Sequence, residues 1–405
     1  MSDSEVVIDC DLLLDGLADE PRYDAAVRVV DGRIAEVGDR GELTAERHYE
    51  HHALLPGLID AHLHLSGYRS MNPMEWATAD TATAAARAVA DLGRIVEAGF
   101  TAVRDVGSAT GLGLRTAVEE GEVPGPRVYT SGRSISQTAG HGDSHFLPYE
   151  WVQGSAGGGI GTLADGEAEC RKEARKRIRD GVDLLKIMTT GGVLSEKDAP
   201  DQSQFTDAEI RAFTQEAHRV GIPVASHAQG APGIKSALRN GVDTIEHGFY
   251  LDQECLDLFV EHDATFVPTL AIMHRIVTEG ADHGVPEYGL RKSREASEAH
   301  YDAVERAYEA GIPIALGTDF IGPELVPHGE NAMEAELFVE EVGMDEMDAV
   351  KAATSVAARA IGDDDIGTVE PGTAADLVGL GANPLEDITA LRAVETTYRD
   401  GAPAL

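Results

Sequence analysis

Basic residues are scarce in this chain. Its 405 residues carry 33 lysines and arginines against 71 aspartates and glutamates, a formal net charge of −38, and arginine supplies most of the positive charge. Such an excess repels phosphate backbones and acidic lipids, which argues against nucleic acid and membrane surfaces as partners. The acidic residues are spread along the chain rather than gathered in a tail, so no interaction arm is expected. Cysteine is nearly absent: Cys10, Cys170 and Cys255 stand far apart without Cys-x-x-Cys spacing. That excludes a disulfide or zinc–thiolate framework and leaves three small reduced residues. No apolar run approaches the roughly 20 residues that span a bilayer. The opening MSDSEVVIDCDLLLDG lacks the basic stretch of an export signal, so a cytoplasmic location is expected.

What is present is an ordinary globular composition, 42% hydrophobic, long enough for one large α/β domain and a smaller one. Residues 1–55 hold alternating segments, VVIDCDLLL and AAVRVVDGRIAEVG, and Asp31-Gly32 between two apolar runs is a hairpin signal. The end mirrors the beginning: after Ile366-Gly367, TVEPGTAADLVGL and AVETTYRDG read as strands and turns. These ends, 1–55 and 366–405, predict one composite β-sandwich domain. Between them, over 56–365, short apolar strands alternate with amphipathic helical stretches such as 81–98 and 207–221. Gly99, Gly181, Gly221, Gly241 and Gly311 stand where those helices should end. Eight strands alternating with helices predict a (β/α)8 TIM barrel, whose chemistry sits at the C-terminal strand ends. The one low-complexity segment is Gly157-Gly158-Gly159.

The chemistry begins at Gly57-Leu58-Ile59-Asp60-Ala61-His62-Leu63-His64-Leu65. Period-two alternation after the Pro56-Gly57 turn reads as a strand, and residues two apart share a face, so His62 and His64 can grip one divalent cation. Lys186 lies mid-strand in Leu184-Leu185-Lys186-Ile187-Met188, where a lysine needs a partner: a carboxylate, or a carbamate formed on its own amine. His227 ends the fifth strand (VASHAQG), His247 the sixth (TIEHG) and Asp319 the eighth (ALGTD). Each alone has a structural reading, as a core histidine or a helix N-cap. Together they fall at one mouth of the barrel and supply ligand sets for two ions of a nitrogen- and oxygen-preferring kind, zinc first.

These motifs, PGLIDAHLHL, LLKIM, ASHAQG, IEHG and GTD, in this order, resemble the metal-dependent amidohydrolase superfamily in its binuclear, carbamylated-lysine form. FTAVRDVG, SGRSISQTAGHGD, TTGGVLS and HGENAMEAEL are similar to the branch of imidazolonepropionase and the Xaa-Pro and Xaa-Arg/Lys dipeptidases. The resemblance implies that His62, His64 and Asp319 hold one ion, His227 and His247 the other, and carbamylated Lys186 bridges them. It implies hydrolysis of an amide in a small molecule by a water-derived nucleophile, with Asp319 moving the proton to the leaving amine. The expected substrate is a dipeptide or an N-acyl amino acid. Cyclic amide or imidazolone hydrolysis and deamination are the alternatives, against which the lysine strand counts; a silent scaffold is a third.

On the substrate side, His141 in Gly140-His141-Gly142-Asp143 is expected at the carbonyl or carboxylate, and 191–205 as a lid with a glycine hinge. Gln229 stands where many dipeptidase relatives carry an aromatic or histidine, which puts peptide specificity in doubt. Tyr68, Arg133, Tyr250, His328 and Asn331 are further candidates for the pocket, with Arg133 or Arg104 as the anchor for a carboxylate. An even-numbered homo-oligomer is expected. The charge predicts adaptation to a salt-rich cytoplasm, where screening over a few Å relieves self-repulsion. Melting should therefore be tens of degrees higher in molar than in millimolar KCl; equal melting temperatures would refute it.

Overall fold

Residues 5–154 and 161–404 are described by a computed structural model, so the run Gly157-Gly158-Gly159 lies outside the described residues. The two ends of the chain meet in one seven-stranded mixed sheet. Its order across the sheet is 402–403, 394–399, 377–380, 47–56, 6–13, 22–30 and 33–39. Strand Val6–Leu13 runs parallel to Arg47–Pro56, and Leu377–Leu380 joins antiparallel to the other edge of Arg47–Pro56. The hairpin expected at Asp31-Gly32 forms, with φ of 51° and 80°, the pair of left-handed residues that matches strand twist. The alternating valines and isoleucines of these strands bury against Leu54, Leu377 and Tyr398.

Pro56 ends that sheet and Leu58 begins the barrel, so the first metal-binding candidates follow a strand clamped at its base. The barrel strands are Leu58–Leu63, Phe100–Asp105, Arg127–Thr130 with Ser134–Ser136, Leu185–Met188, Val224–Gly230, Thr244–Tyr250 and Thr265–Val267. The third position breaks at Ser131-Gly132-Arg133. Arg127–Thr130 pairs with the second strand and Ser134–Ser136 with the fourth. The eighth position is a stretch bonded on both sides: Ala315 N donates to Phe266 O at 2.9 Å, and Leu316 O accepts from Ala61 N at 2.8 Å. Those bonds close the ring.

The outer helices begin and end on local signals. Thr206 and Glu209 form a reciprocal capping box on Asp207–His218, and Asp80 caps Thr81–Glu97. All five glycines expected at helix ends have positive φ, between 68° and 87°. None of the described helices is long and apolar enough to cross a membrane.

Between two of these helices lies a buried carboxylate, Glu216, 1% exposed, bonded by Arg171 and Arg175 from Glu167–Asp180 and by Arg219. Arg175 beside it, against the cost of burial, pulls its pKa from 4.5 down to about 2. A depressed carboxyl stabilises fully above its unfolded pKa, and that contribution fades as pH falls through the folded value. Glu216→Gln should lower the melting temperature near neutrality by roughly 5 °C. The gap to the parent should close as the pH is taken down to about 2. A gap constant with pH would show that the arginines do not act through charge.

Candidate active site

The first and eighth strands are tied where the site begins. Buried Asp60 accepts from His62 N at 2.9 Å, Thr318 Oγ1 at 2.7 Å and Asn331 Nδ2 at 2.6 Å, and Asp319 N donates to His62 O at 2.6 Å. This clasp sets His62, His64 and Asp319 side by side. One donor atom from each lies within 4.8 Å of the others, and Asp319 Oδ1 stands 3.0 Å from His64 Nε2 and 3.5 Å from His62 Nε2. His247 joins them, its ring 4.9 Å from that of His62, and His227 follows at 4.5 Å from His247.

Each imidazole is oriented by the nitrogen that faces away from the cluster. His62 Nδ1 donates to Glu246 Oε2 at 2.5 Å and His64 Nδ1 to Gly107 O at 2.9 Å, while His247 Nδ1 bonds Thr269 Oγ1 at 2.8 Å. Those bonds turn Nε2 of all three toward the cluster, where it can serve a cation as an electron-pair donor. His227 is reversed: its Nε2 donates to Gly191 O at 3.2 Å, leaving Nδ1 free. Burial pushes His227 and His247 well below the ordinary histidine range, which keeps both neutral. Burial alone would raise Asp319, but His62 and His64 hold its carboxyl far below the usual range.

Lys186 completes the group. It is 3% exposed, and its Nζ has no hydrogen-bond partner. Desolvation lowers its pKa from 10.5 to about 8, against the pull of Glu246. An orphaned buried amine of this kind fits a lysine that carries a carbamate, because the free amine finds no acceptor here, whereas a carbamate would replace it with oxygens able to bind a cation. Neutral imidazoles, one carboxylate and this amine form a nitrogen–oxygen donor set suited to divalent zinc. The backbone is strained to hold them: His247, Asp319 and Thr269 all take left-handed φ, 74°, 57° and 60°.

Above these groups opens a cleft, with the candidate ligands as its floor. Its walls are apolar, including Trp76, Val106, Leu194, Phe249, Ile272 and Met273. Of the substrate-side candidates, His141, Gln229, Tyr68 and Arg133 line it. His141 stacks on His227 at 4.1 Å and 16°, and Tyr68 on Trp76 at 5.7 Å and 12°. Gln229 Oε1 is buried without a partner, an acceptor in need of a donor.

Four expectations are corrected. Tyr250 does not line the cleft: Phe249 does, and successive strand residues face opposite sides. His328 lies beneath the site, its Nε2 donating to His64 O at 3.2 Å, and Asn331 is bound to Asp60. Arg104 cannot anchor a substrate carboxylate, since it is fully buried and binds both oxygens of Glu246 at 3.0 and 3.1 Å. Glu246 and Thr269 escaped sequence reasoning. Glu246 did stand beside His247 in the IEHG motif, whereas nothing local marked Thr269.

The Amidohydrolase family pattern matches residues 53–403, nearly the whole chain. The chain belongs to the amidohydrolase family. Ochratoxinase of Aspergillus niger is 34% identical over 390 residues, 91% of this chain and 80% of that one. The crystal structure of A. niger ochratoxinase superposes with a TM-score of 0.91 at 31% identity, covering 100% of this chain and 96% of the other. That of a Xaa-Pro dipeptidase with bound methionine in the active site gives 0.89 at 32%, covering 98% and 99%. Imidazolonepropionase of Salinispora tropica is 27% identical over 89% of this amidohydrolase and 86% of its own length.

Within this family member, Glu246 is the joint between barrel and site. Burial would raise its carboxyl, but Arg104 and then Lys186 keep it ionised, so His62 always has an acceptor. Glu246→Gln should weaken the binding of an added divalent cation, zinc tried first, about 10- to 100-fold in a competitive chelator titration. Unchanged affinity would mean that His62 keeps its orientation without that charge.

Proposed function

We propose that this amidohydrolase cleaves an amide bond in a small molecule bearing a large apolar group, as a dipeptidase or an N-acyl amino acid hydrolase. The observation that carries it is the partnerless buried amine of Lys186 amid four histidines and Asp319 at the floor of an apolar cleft. His62, His64 and Asp319 would hold one divalent cation, His227 and His247 a second, with Lys186 between them after its amine adds carbon dioxide and releases a proton. When bound, such cations, zinc first, supply a water acidic near neutrality and a Lewis acid for the scissile carbonyl.

The chain's own residues do the rest. Asp319, kept ionised by its histidines, takes the proton of the attacking water and returns it to the leaving nitrogen. His141 meets the carbonyl or carboxylate end of the substrate. Arg133, the one arginine among the described residues that line the cleft, attracts a carboxylate. Gln229 Oε1 accepts from a substrate N–H, and its lack of a partner supports that role. The apolar wall of Trp76, Leu194, Phe249 and Ile272 excludes water and favours a bulky side chain or acyl group. Likeness to ochratoxinase and to a Xaa-Pro dipeptidase supports the reading at the level of the scissile bond.

Imidazolone or cyclic amide hydrolysis is the second reading, favoured only by the more distant likeness to imidazolonepropionase. Screening dipeptides and N-acyl amino acids in high salt with added zinc should find hydrolysis, fastest for aromatic or branched members. A library left intact while cyclic amides are opened would reverse the order. Zinc analysis should give about two ions per chain, and Lys186→Ala should lose most of them. Asp319→Ala should cost turnover roughly 100-fold or more, a larger factor than its loss of metal.

A further inference from the structure

The 191–205 loop, expected as a lid, covers the cleft with Val193 and Leu194 and is fastened from behind. Lys292, on helix Glu287–Glu309 and 8% exposed, donates to Gly192 O at 3.0 Å, to Ser195 O at 2.6 Å and to Asp198 O. Its Nζ lies 3.8 Å from Asp198 Oδ1, so the buried carboxylate of Asp198 has a countercharge. Asp198 accepts from Gly192 N at 3.2 Å, from Gln204 Nε2 at 3.3 Å and from the hydroxyl of Ser195. Ser195 Oγ stands 2.9 Å from His141 Nδ1, and Gln204 Oε1 accepts from His141 N at 3.0 Å.

Proton direction follows from donor and acceptor rules. The Asp198 carboxylate faces a backbone N–H, an amide N–H and the Lys292 ammonium, so it is an acceptor only. The proton between Asp198 and Ser195 therefore belongs to the hydroxyl. The remaining capacity of Ser195 Oγ is to accept, which places a proton on His141 Nδ1. The ring itself lies on a bare backbone: a Cβ at Gly192 would come within 2.2 Å of His141 Cε1.

We propose that Asp198, acting through Ser195, is a positioning residue that holds the Nδ1–H of His141 and so aims Nε2 at the substrate, where it donates to a carbonyl or carboxylate oxygen when the ring carries its second proton, with Lys292 pinning the loop that carries the relay. The inference rests on the amide-hydrolase reading only in taking His141 as a substrate contact. It extends that reading because the residue controlling His141 comes from the covering loop, so loop placement and the readiness of His141 are one event.

The test uses the zinc-loaded full chain. Ser195→Ala and Asp198→Asn are made alone and in combination with His141→Ala. Expected for each single variant is a fall in kcat of about 10- to 100-fold with zinc content retained. Expected in the His141→Ala background is no further loss, because the relay then has nothing to position. Losses that multiply fully in that background would overturn the proposal. Should Asp198→Asn fail to fold, Ser195→Ala, which removes one hydroxyl, carries the cycle. A second readout needs no turnover: in histidine ¹⁵N spectra, the resonance missing from His141→Ala should show a protonated Nδ1 and change in Ser195→Ala. An unchanged resonance would sink the relay. If the spectra behave as expected but no amide is cut, the relay stands and the amide assignment falls. Lys292→Met should open 191–205 to limited proteolysis without loss of zinc; equal protection would remove the pin.

Discussion

A carboxylate without access to water organises this molecule. Glu246 lies beneath the cleft, gripped on both oxygens by the fully buried Arg104 and bonded on the other side to His62. Isolated, either charge would be too costly to bury; paired and hydrogen-bonded, they form a polar post inside the barrel. Arg104 also reaches Ala61 O, Thr244 Oγ1 and Ala360 O, so the post joins the first, second and sixth strands to the helix at 355–361. The orientation of His62, and through the shared cluster that of its neighbours, derives from a contact several residues below the chemistry.

The same logic recurs upward through the site. Asp60 clasps the eighth strand to the first, Thr269 takes a strained conformation while holding His247, and Glu334 caps the helix that follows Thr269 by accepting from Leu270 N and Ala271 N. Strain of this sort persists only where surrounding contacts over-determine it. The result is a set of imidazoles whose unused nitrogens are directed inward before any ligand arrives, the preorganisation that a metal-dependent site requires. The covering loop ties His141 to the same rigid frame through Ser195 and Gln204. A hydrolase built this way keeps its reorganisation small when charge develops in the cleft.

Much of this was legible along the chain, and the reasons differ by element. Periodicity and turn chemistry located the barrel strands, the Asp31-Gly32 hairpin and the helix-ending glycines, because each depends on neighbours within a few residues. The metal-binding candidates were readable as well, since strand ends converge by the topology itself once alternation is recognised. Tyr250 was misjudged because its face depends on which of two adjacent residues turns inward, and Arg104 because burial of a cation needs a partner 142 residues away.

What the sequence by itself determined is therefore the architecture, the family and the candidate ligands His62, His64, Lys186, His227, His247 and Asp319, all carried by short-range pattern. What only the tertiary structure decided is which nitrogen each histidine presents, that the Lys186 amine has no hydrogen-bond partner, and that Ser195 and Asp198 of the covering loop, pinned by Lys292 from a neighbouring helix, stand behind His141. Hydrogen bonds act over about 3 Å, whereas the residues making them here are separated by tens to hundreds of positions. No local pattern encodes such pairings; they exist only once the barrel has closed.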